Sequence, residues 1–241
     1  NLGGSLWTLA LEMQFYLIFP LLARAFRRLP AATFAAMLGL ALAARGYIAA
    51  AHSDVSLYFN QLPAYLDTFA LGMAAALAHV RLSRVKHGAG LRLICSAATL
   101  AALWLLYCTA KAQAGCPSTE AIRMGQMNRR LTMGLLGATL LVASANAGWI
   151  VRHILANPAT RFVSAVSMQF YIWHQTLAVW LVQSRIIPSE FANPNYDGDL
   201  IWQKQYTFAC FAAALLLAAL LTYGFERPIS RRLLQKREKT R

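Results

Sequence analysis

Charged residues are scarce in this sequence, and acidic ones are the scarcest. Charged residues make up 13% of the 241 residues, against about a quarter in a typical soluble domain. Hydrophobic residues make up 58%, and they form blocks of about twenty, the length that crosses the hydrocarbon core of a bilayer. A large soluble all-α protein would need more polar helix faces than this chain has. The composition therefore predicts an all-α integral membrane protein.

Motifs of common soluble enzyme classes are also missing. The sequence has no P-loop, GxGxxG, HExxH or GxSxG. The cysteines Cys95, Cys108, Cys116 and Cys210 show no metal-binding spacing. Cys108 and Cys116 could form a disulfide only if both faced an oxidising compartment. We therefore expect no metal site and no bound cofactor.

Positive charge is in excess, with a net charge of +14 that lies in the loops and in the C-terminal segment ERPISRRLLQKREKTR. A nucleic-acid partner could explain such a charge in a soluble protein. Basic loops that face anionic lipid headgroups explain it more simply in a chain with apolar blocks. We expect membrane lipid as a partner and no nucleic acid.

The apolar blocks predict a polytopic transmembrane helix bundle of about seven spans over residues 1–225, with a basic tail over residues 226–241. Sixteen lysines and arginines lie on the side of the tail and six on the opposite side. The more basic side of a multi-pass protein is cytoplasmic, so we expect a bacterial inner-membrane protein with a cytoplasmic C-terminus. The chain begins with Asn1 and no signal peptide precedes its first span, so we expect a piece of a longer protein. The predicted spans are residues 3–23, 31–51, 65–80, 91–110, 131–150, 162–182 and 206–225.

Polar side chains of the first predicted span share one helical face. Ser5, Thr8, Glu12 and Tyr16 follow one another at intervals of three or four residues. A charge at this depth costs about 3 kcal/mol, so the face is expected to point into the bundle. Glu12 could orient a substrate or assist proton transfer there, or it could be a packing device bonded to another helix.

The sixth predicted span repeats this pattern with Ser164, Ser167, Tyr171 and His174. A single histidine on such a face can be a functional group, but a satisfied core histidine is the commoner case. The pattern by itself favours the core interpretation for His174.

Charged residues at two span ends suggest a third polar position. Arg45 lies in the second predicted span and Asp67 begins the third, with a short loop between them. An ion pair would lower the cost of both charges, and the alternative is an arginine held for an anionic substrate. Glu226, Arg227 and Pro228 close the last span, where an interfacial stop is favoured over a catalytic role.

Four stretches together resemble the membrane-bound acyltransferase 3 family. The stretch SLWTLALEMQFYLIFPLL is similar to the family's Trp-Ser-Leu-x-x-Glu-x-x-Phe-Tyr-x-x-x-Pro signature, with Thr8 in place of serine. The stretch YLDTFALGMAAALAH resembles an Arg-x-Asp-x-Phe-x-x-Gly span, although Tyr65 stands where arginine is common. VSMQFYIWHQTLAVW and YGFERPISRRL resemble the family's histidine-containing segment and its closing Glu-x-Pro element.

The resemblance implies O-acyl transfer from cytoplasmic acyl-CoA, as co-substrate, to a hydroxyl of an extracytoplasmic carbohydrate or lipid-linked glycan. It also implies that the family's catalytic histidine lies upstream of this chain, so that the chain alone is inactive and Glu12 has a supporting role. Residues expected to bind substrate are Trp7, Thr8, Tyr16, Arg45, Asp67, Tyr171 and His174.

Two other function classes remain open at this point. A membrane transporter or lipid-linked glycan flippase would also use glutamate, arginine and histidine within its spans, although no inverted repeat is visible. A non-catalytic membrane scaffold is the third class, and the two aligned polar faces argue against it.

Overall fold

The computed structural model describes residues 7–52, 55, 58, 60–85, 88–191, 194 and 199–238. Every regular element within these residues is helical, as the all-α prediction requires. The α-helices are α1 (Trp7–Arg28), α2 (Pro30–Ala51), α3 (Leu66–Ser83), α4 (Ala89–Ala114), α5 (Thr119–Asn128), α6 (Arg130–Asn146), α7 (Trp149–Leu155), α8 (Pro158–Gln183), α9 (Leu200–Leu221) and α10 (Arg227–Glu238).

The chain forms two compact units. One comprises the described residues of Thr8–Ala156, and the other comprises the described residues from Asn157 onward together with Trp7. In the first unit α2 packs against α3, α3 against α6, and α6 against α4. Gly134 lets α3 and α6 approach closely, because a Cβ at this position would lie 2.9 Å from Cδ1 of Leu71.

Helix α1 packs through its aromatic face. The ring of Phe15 stacks on that of Phe69, with 3.7 Å between the ring centroids. Both belong to an apolar cluster whose buried members include Met37, Ala41 and Ala70. The cluster joins α1, α2 and α3, so Phe15 decides which face of α1 is turned toward its neighbours.

The chain bends sharply between α6 and α7, by 115°. The hydroxyl of Ser96 on α4 accepts a hydrogen bond of 2.8 Å from the backbone N–H of Gly148 in the bend. A Cβ on Gly148 would lie 3.2 Å from this hydroxyl oxygen. Glycine therefore keeps the bend close to α4.

In the second unit α8 packs against α9. The phenol of Tyr206 donates a hydrogen bond of 2.7 Å to the carbonyl of Ala178 and so ties the two helices together. Helix α9 does not end where its last α-helical residue lies. It continues through a π-helical turn, Thr222–Glu226, directly into α10, where Pro228 is the second residue. Proline has no N–H, so one helical hydrogen bond is missing where the π-helical turn passes into α10.

Fewer helices than the predicted seven could cross a membrane. By length and composition four described helices could do so, or five if α6 and α7 together form one broken span. Helix α3 is 18 residues long and includes Asp67, His79 and Arg81, which lower its hydropathy. Helix α8 is long enough, with 26 residues, but polar residues such as Gln169, His174 and Gln175 interrupt it. The membrane class is confirmed, whereas the span count of seven is wrong for the described helices.

The four cysteines are all free thiols. Cys95 is buried in α4, and Cys108 is exposed further along the same helix. Cys116 follows that helix, and its thiol lies 3.6 Å from the carbonyl of Ala112. The conditional disulfide between Cys108 and Cys116 is therefore not formed.

Asp199 caps the N-terminus of α9, and we expect this cap to depend on pH. Its carboxylate accepts hydrogen bonds from the N–H of Trp202 at 2.9 Å and from the hydroxyl of Ser189 at 2.8 Å. These bonds, the first above all, hold the pKa of Asp199 below its ordinary value of 3.8. A carboxylate with a lowered pKa stabilises the folded state above its ordinary pKa, and this contribution is lost as the pH falls through the folded-state value.

Asp199→Asn should therefore lower the unfolding temperature at neutral pH, and the difference from the unsubstituted chain should shrink in acid below pH 3.8. Thermal unfolding in detergent across this pH range measures it. Glu190→Gln is the control in the same loop. An unfolding temperature insensitive to Asp199→Asn at neutral pH would contradict the cap.

Candidate functional site

The first polar cluster of the structure forms around a buried ion pair. Nη2 of Arg45, near the end of α2, lies 2.7 Å from Oδ2 of Asp67 in the first turn of α3. Arg45 is 8% exposed and Asp67 is fully buried. The other carboxylate oxygen accepts the N–H of Thr68 at 2.8 Å, which satisfies a donor at the start of the helix. The ion pair expected from the sequence is confirmed, while substrate binding by its two residues remains a prediction.

A single carbonyl joins this ion pair to α6. The oxygen of Ala64 accepts a hydrogen bond of 3.0 Å from Arg45 and one of 3.3 Å from Arg130. Ala64 lies in a short 3₁₀ helix, Leu62–Tyr65, that runs directly into α3. Arg130 is only 6% exposed. Two guanidinium groups from different helices therefore converge on one backbone oxygen.

Tyr65 and Arg130 form the edge of the cluster. The guanidinium carbon of Arg130 lies 3.5 Å from the centre of the Tyr65 ring, within the range of a cation–π contact. Tyr65 stands where the family resemblance leads one to expect arginine. The structure brings a guanidinium to this position from another helix. Sequence reasoning missed Arg130, which it counted among the loop residues that set membrane orientation.

An apolar groove of about 340 Å³ begins at this edge and runs between α3 and α6. Tyr65, Thr68 and Arg130 line one end, termed here the polar end, and almost all of the surface that faces the groove is apolar. Small side chains and glycines leave the space further along, and its remaining lining residues are Gly72, Met133, Gly134, Gly137, Ala138 and Leu141. An open apolar volume that ends at charged and hydroxyl groups is suited to a ligand with an apolar chain and a polar head.

The polar face of α1 is arranged differently from the prediction. Tyr16 is 64% exposed, whereas Phe15 is buried. Consecutive residues of an α-helix lie about 100° apart, so the side chain that packs on α3 is phenylalanine and not its neighbour. Tyr16 is therefore turned away from α3, and substrate binding by this residue remains a prediction. Trp7, Thr8 and Glu12 are half-buried, and Ser5 lies outside the described residues.

Glu12 has no hydrogen bond or ion pair within the described part of the chain. The packing alternative for this carboxylate finds no partner among those residues. About two turns further along, Pro20 lies inside α1. Proline has no N–H, so the carbonyl of Tyr16 receives no helical hydrogen bond. The polar face of α1 therefore includes the Glu12 carboxylate and the carbonyl oxygen of Tyr16.

His174 is half-buried on α8, in the other unit. Its Nδ1 lies 2.8 Å from the carbonyl oxygen of Tyr171 and 3.2 Å from that of Phe170. A carbonyl only accepts, so Nδ1 carries a proton and Nε2 is the ring atom available as an acceptor in the neutral form. Substrate binding by Tyr171 and His174 remains a prediction.

The end of the second unit holds one further polar contact. Nε2 of Gln169 on α8 donates a hydrogen bond of 3.1 Å to Glu226 in the π-helical turn. Next to it, the guanidinium of Arg227 lies 4.4 Å from the centre of the Tyr223 ring. Among the described residues no group of three or more histidine, cysteine, aspartate and glutamate side chains could hold a metal ion.

Comparison with known proteins identifies the chain. A family model described as an acyltransferase domain matches residues 3–226. The chain belongs to the acyltransferase 3 family. No curated protein and no solved structure matches it. The match covers nearly the whole chain, so the resemblance seen in four separate stretches extends over α1 to the π-helical turn, and this acyltransferase is a multi-pass membrane protein.

The ion pair leads to a stability prediction for this acyltransferase. Asp67→Asn leaves the Arg45 guanidinium buried without its counter-charge, which should lower the free energy of unfolding by about 3–5 kcal/mol. Unfolding in detergent measures the loss. The control is Glu120→Gln, which removes an exposed carboxylate in the first turn of α5. Arg45→Met with Asp67→Leu should recover much of the loss, and equal effects of Asp67→Asn and Glu120→Gln would contradict the assignment.

Proposed function

We propose that this acyltransferase transfers an acyl group from acyl-CoA to a hydroxyl of an extracytoplasmic carbohydrate or lipid-linked glycan in a bacterial inner membrane. The observation that carries the proposal is the groove between α3 and α6 with Tyr65, Thr68 and Arg130 at one end. An acyl chain fits the apolar part. The thioester and the acceptor hydroxyl would lie at the other end, beside Tyr65, Thr68 and Arg130.

The proposal also places the two substrates. The end of α2 and the beginnings of α3 and α6 meet near the carbonyl of Ala64, and in this proposal they face the extracytoplasmic side, where a glycan hydroxyl would arrive. Leu141 lies eleven residues after Arg130 in the same helix, about 16 Å further along its axis. The groove therefore extends about this far along α6, with room for an acyl chain below a thioester held at the polar end.

The chemical step follows from this arrangement. A base removes the proton of the acceptor hydroxyl, and the resulting oxygen attacks the thioester carbonyl. The new ester C–O bond forms, the C–S bond breaks, and the CoA thiolate takes up a proton. Negative charge develops on the thioester oxygen during the attack, and the guanidinium of Arg130 places positive charge at the polar end of the groove, where that oxygen would lie.

Glu12 and the other predicted site residues have supporting roles in this proposal. The half-buried Glu12 carboxylate is a positioning residue that orients the acceptor or the base. Trp7, Thr8 and Tyr16 share its helix and would contact the acceptor. Nε2 of His174 can accept a hydrogen bond from a sugar hydroxyl, with Tyr171 beside it. Arg45 and Asp67 hold the polar end of the groove in place.

Glu12→Gln tests the positioning role. In membranes that contain the full-length protein and labelled acetyl-CoA, transfer of label to glycan should fall by about 10- to 100-fold, because misplaced reactants lose effective molarity. The unfolding temperature should not change, and Glu12→Asp should recover part of the activity. Glu120→Gln is the control. Activity of Glu12→Gln equal to that of the control would make Glu12 a packing residue, and movement of glycan without covalent change would favour a flippase instead.

Gly137→Leu tests the groove itself. A Cβ on Gly137 meets nothing within 4 Å, so a larger side chain should fill the groove without disturbing the fold. We expect loss of acyl transfer, with the loss largest for longer acyl chains. Gly39→Leu is the matched control, because Gly39 is equally open but lies on α2 away from the groove. Full activity of Gly137→Leu with every acyl chain would exclude the groove as the acyl site.

A further inference from the structure

A second cavity lies at the bend between α6 and α7, away from the groove. Its volume is about 410 Å³. Two arginines, a histidine and a tryptophan line it, and none of its described lining residues is acidic. Neither arginine has an ion pair within the described part of the chain. The lining residues are Arg92, Ala147, Trp149, Arg152, His153 and Ala156.

The two arginines that line this cavity come from two helices that the fold ties together. The hydroxyl of Ser96 accepts the N–H of Gly148 in the bend and donates to the carbonyl of Arg92, with both distances 2.8 Å. The beginning of α4 is thereby fastened to the beginning of α7. Arg92 comes from one of these helices and Arg152 from the other. Two guanidinium groups that face one cavity can bind the oxygens of a phosphate group together.

Apolar surface adjoins the cavity on both helices. Leu93 and Ile94 follow Arg92 directly in α4, and both are exposed. Ile150 and Ile154 on α7 are exposed as well, and they share this helix with Arg152. Helix α7 turns 115° away from α6, and its exposed Trp149 and isoleucines beside Arg152 give it the composition of a helix that lies in a membrane interface. A ligand of this cavity would meet a basic pocket and an apolar surface at the same time.

We propose that this cavity binds the headgroup of an anionic phospholipid, with Arg92 and Arg152 on the phosphodiester oxygens and Trp149 and His153 beside the glycerol. Anionic lipid at a membrane surface attracts basic residues such as these two arginines. Acyl-CoA also carries phosphates, but the exposed leucine and isoleucines on both sides of the cavity suit the acyl chains of a bilayer lipid. The proposal does not depend on the proposed function.

Binding of a short-chain lipid to the purified protein tests the proposal. Dihexanoyl phosphatidylglycerol is titrated calorimetrically into the protein in a neutral maltoside detergent, with dihexanoyl phosphatidylcholine and coenzyme A in parallel. We expect phosphatidylglycerol to bind more tightly than phosphatidylcholine. Arg92→Gln with Arg152→Gln should weaken its binding by about 10- to 30-fold, since each basic residue near an anionic lipid contributes about fivefold.

Two matched variants separate this site from general surface charge. Arg231→Gln with Arg232→Gln removes the same charge from exposed positions of α10. This pair should change the affinity for phosphatidylglycerol by less than about twofold, whereas each arginine of the site contributes about fivefold. Arg92→Lys with Arg152→Lys should retain most of the affinity. The unfolding temperature without lipid should be the same in all variants. Equal losses in the two glutamine pairs would overturn the proposal, and so would arginine-dependent binding of coenzyme A without binding of phosphatidylglycerol.

Discussion

The buried ion pair between Arg45 and Asp67 is the interaction on which the first unit depends. It joins the end of α2 to the first turn of α3 through one contact of 2.7 Å. Charges withdrawn from water are stable only when their partners stay in place, so this pair sets the register between the two helices. The carbonyl of Ala64 extends the same constraint to Arg130. Three helix ends are therefore held at one point, and the groove between α3 and α6 begins there.

The groove illustrates why helices in a membrane need small residues. Lipid tails are as apolar as leucine, so helices associate through close packing and hydrogen bonds and gain little from hydrophobic burial. Gly134 provides the close approach, because a larger residue would meet Leu71. Gly72 and Gly137 do the opposite, since the space beside them stays open. One helix pair thus combines a tight contact with a cavity large enough for a ligand chain.

Sequence patterns predicted the elements whose neighbours are close along the chain. The boundaries of α2 fell within one residue of the predicted span, because its apolar run is bounded by proline and a polar loop. The pairing of Arg45 with Asp67 followed from the short connection between them. In α1 the polar face was found, but its direction was not. That direction is set by the contact between Phe15 and Phe69, which requires knowledge of α3.

Other features lacked any local signal. Arg129 and Arg130 stand side by side before the same apolar run, yet Arg129 donates to Gln113 and Arg130 stacks on Tyr65. Because the two residues are identical and adjacent, the sequence does not indicate which of them packs on Tyr65. The bend after α6 was also missed, because the apolar pattern continues across it while Gly148 bonds to Ser96. Tertiary contacts decided both cases.

The π-helical turn at the end of α9 has a consequence for the basic tail. In such a turn each hydrogen bond spans five residues where an α-helix spans four, so one additional residue is accommodated within a continuous rod. The side chains beyond Glu226 are consequently out of phase with the periodicity of α9. A helical wheel drawn straight through α9 and α10 would assign Arg231 and Arg232 to the wrong azimuth. A one-residue deletion within Thr222–Glu226 would rotate both arginines about the axis of α10.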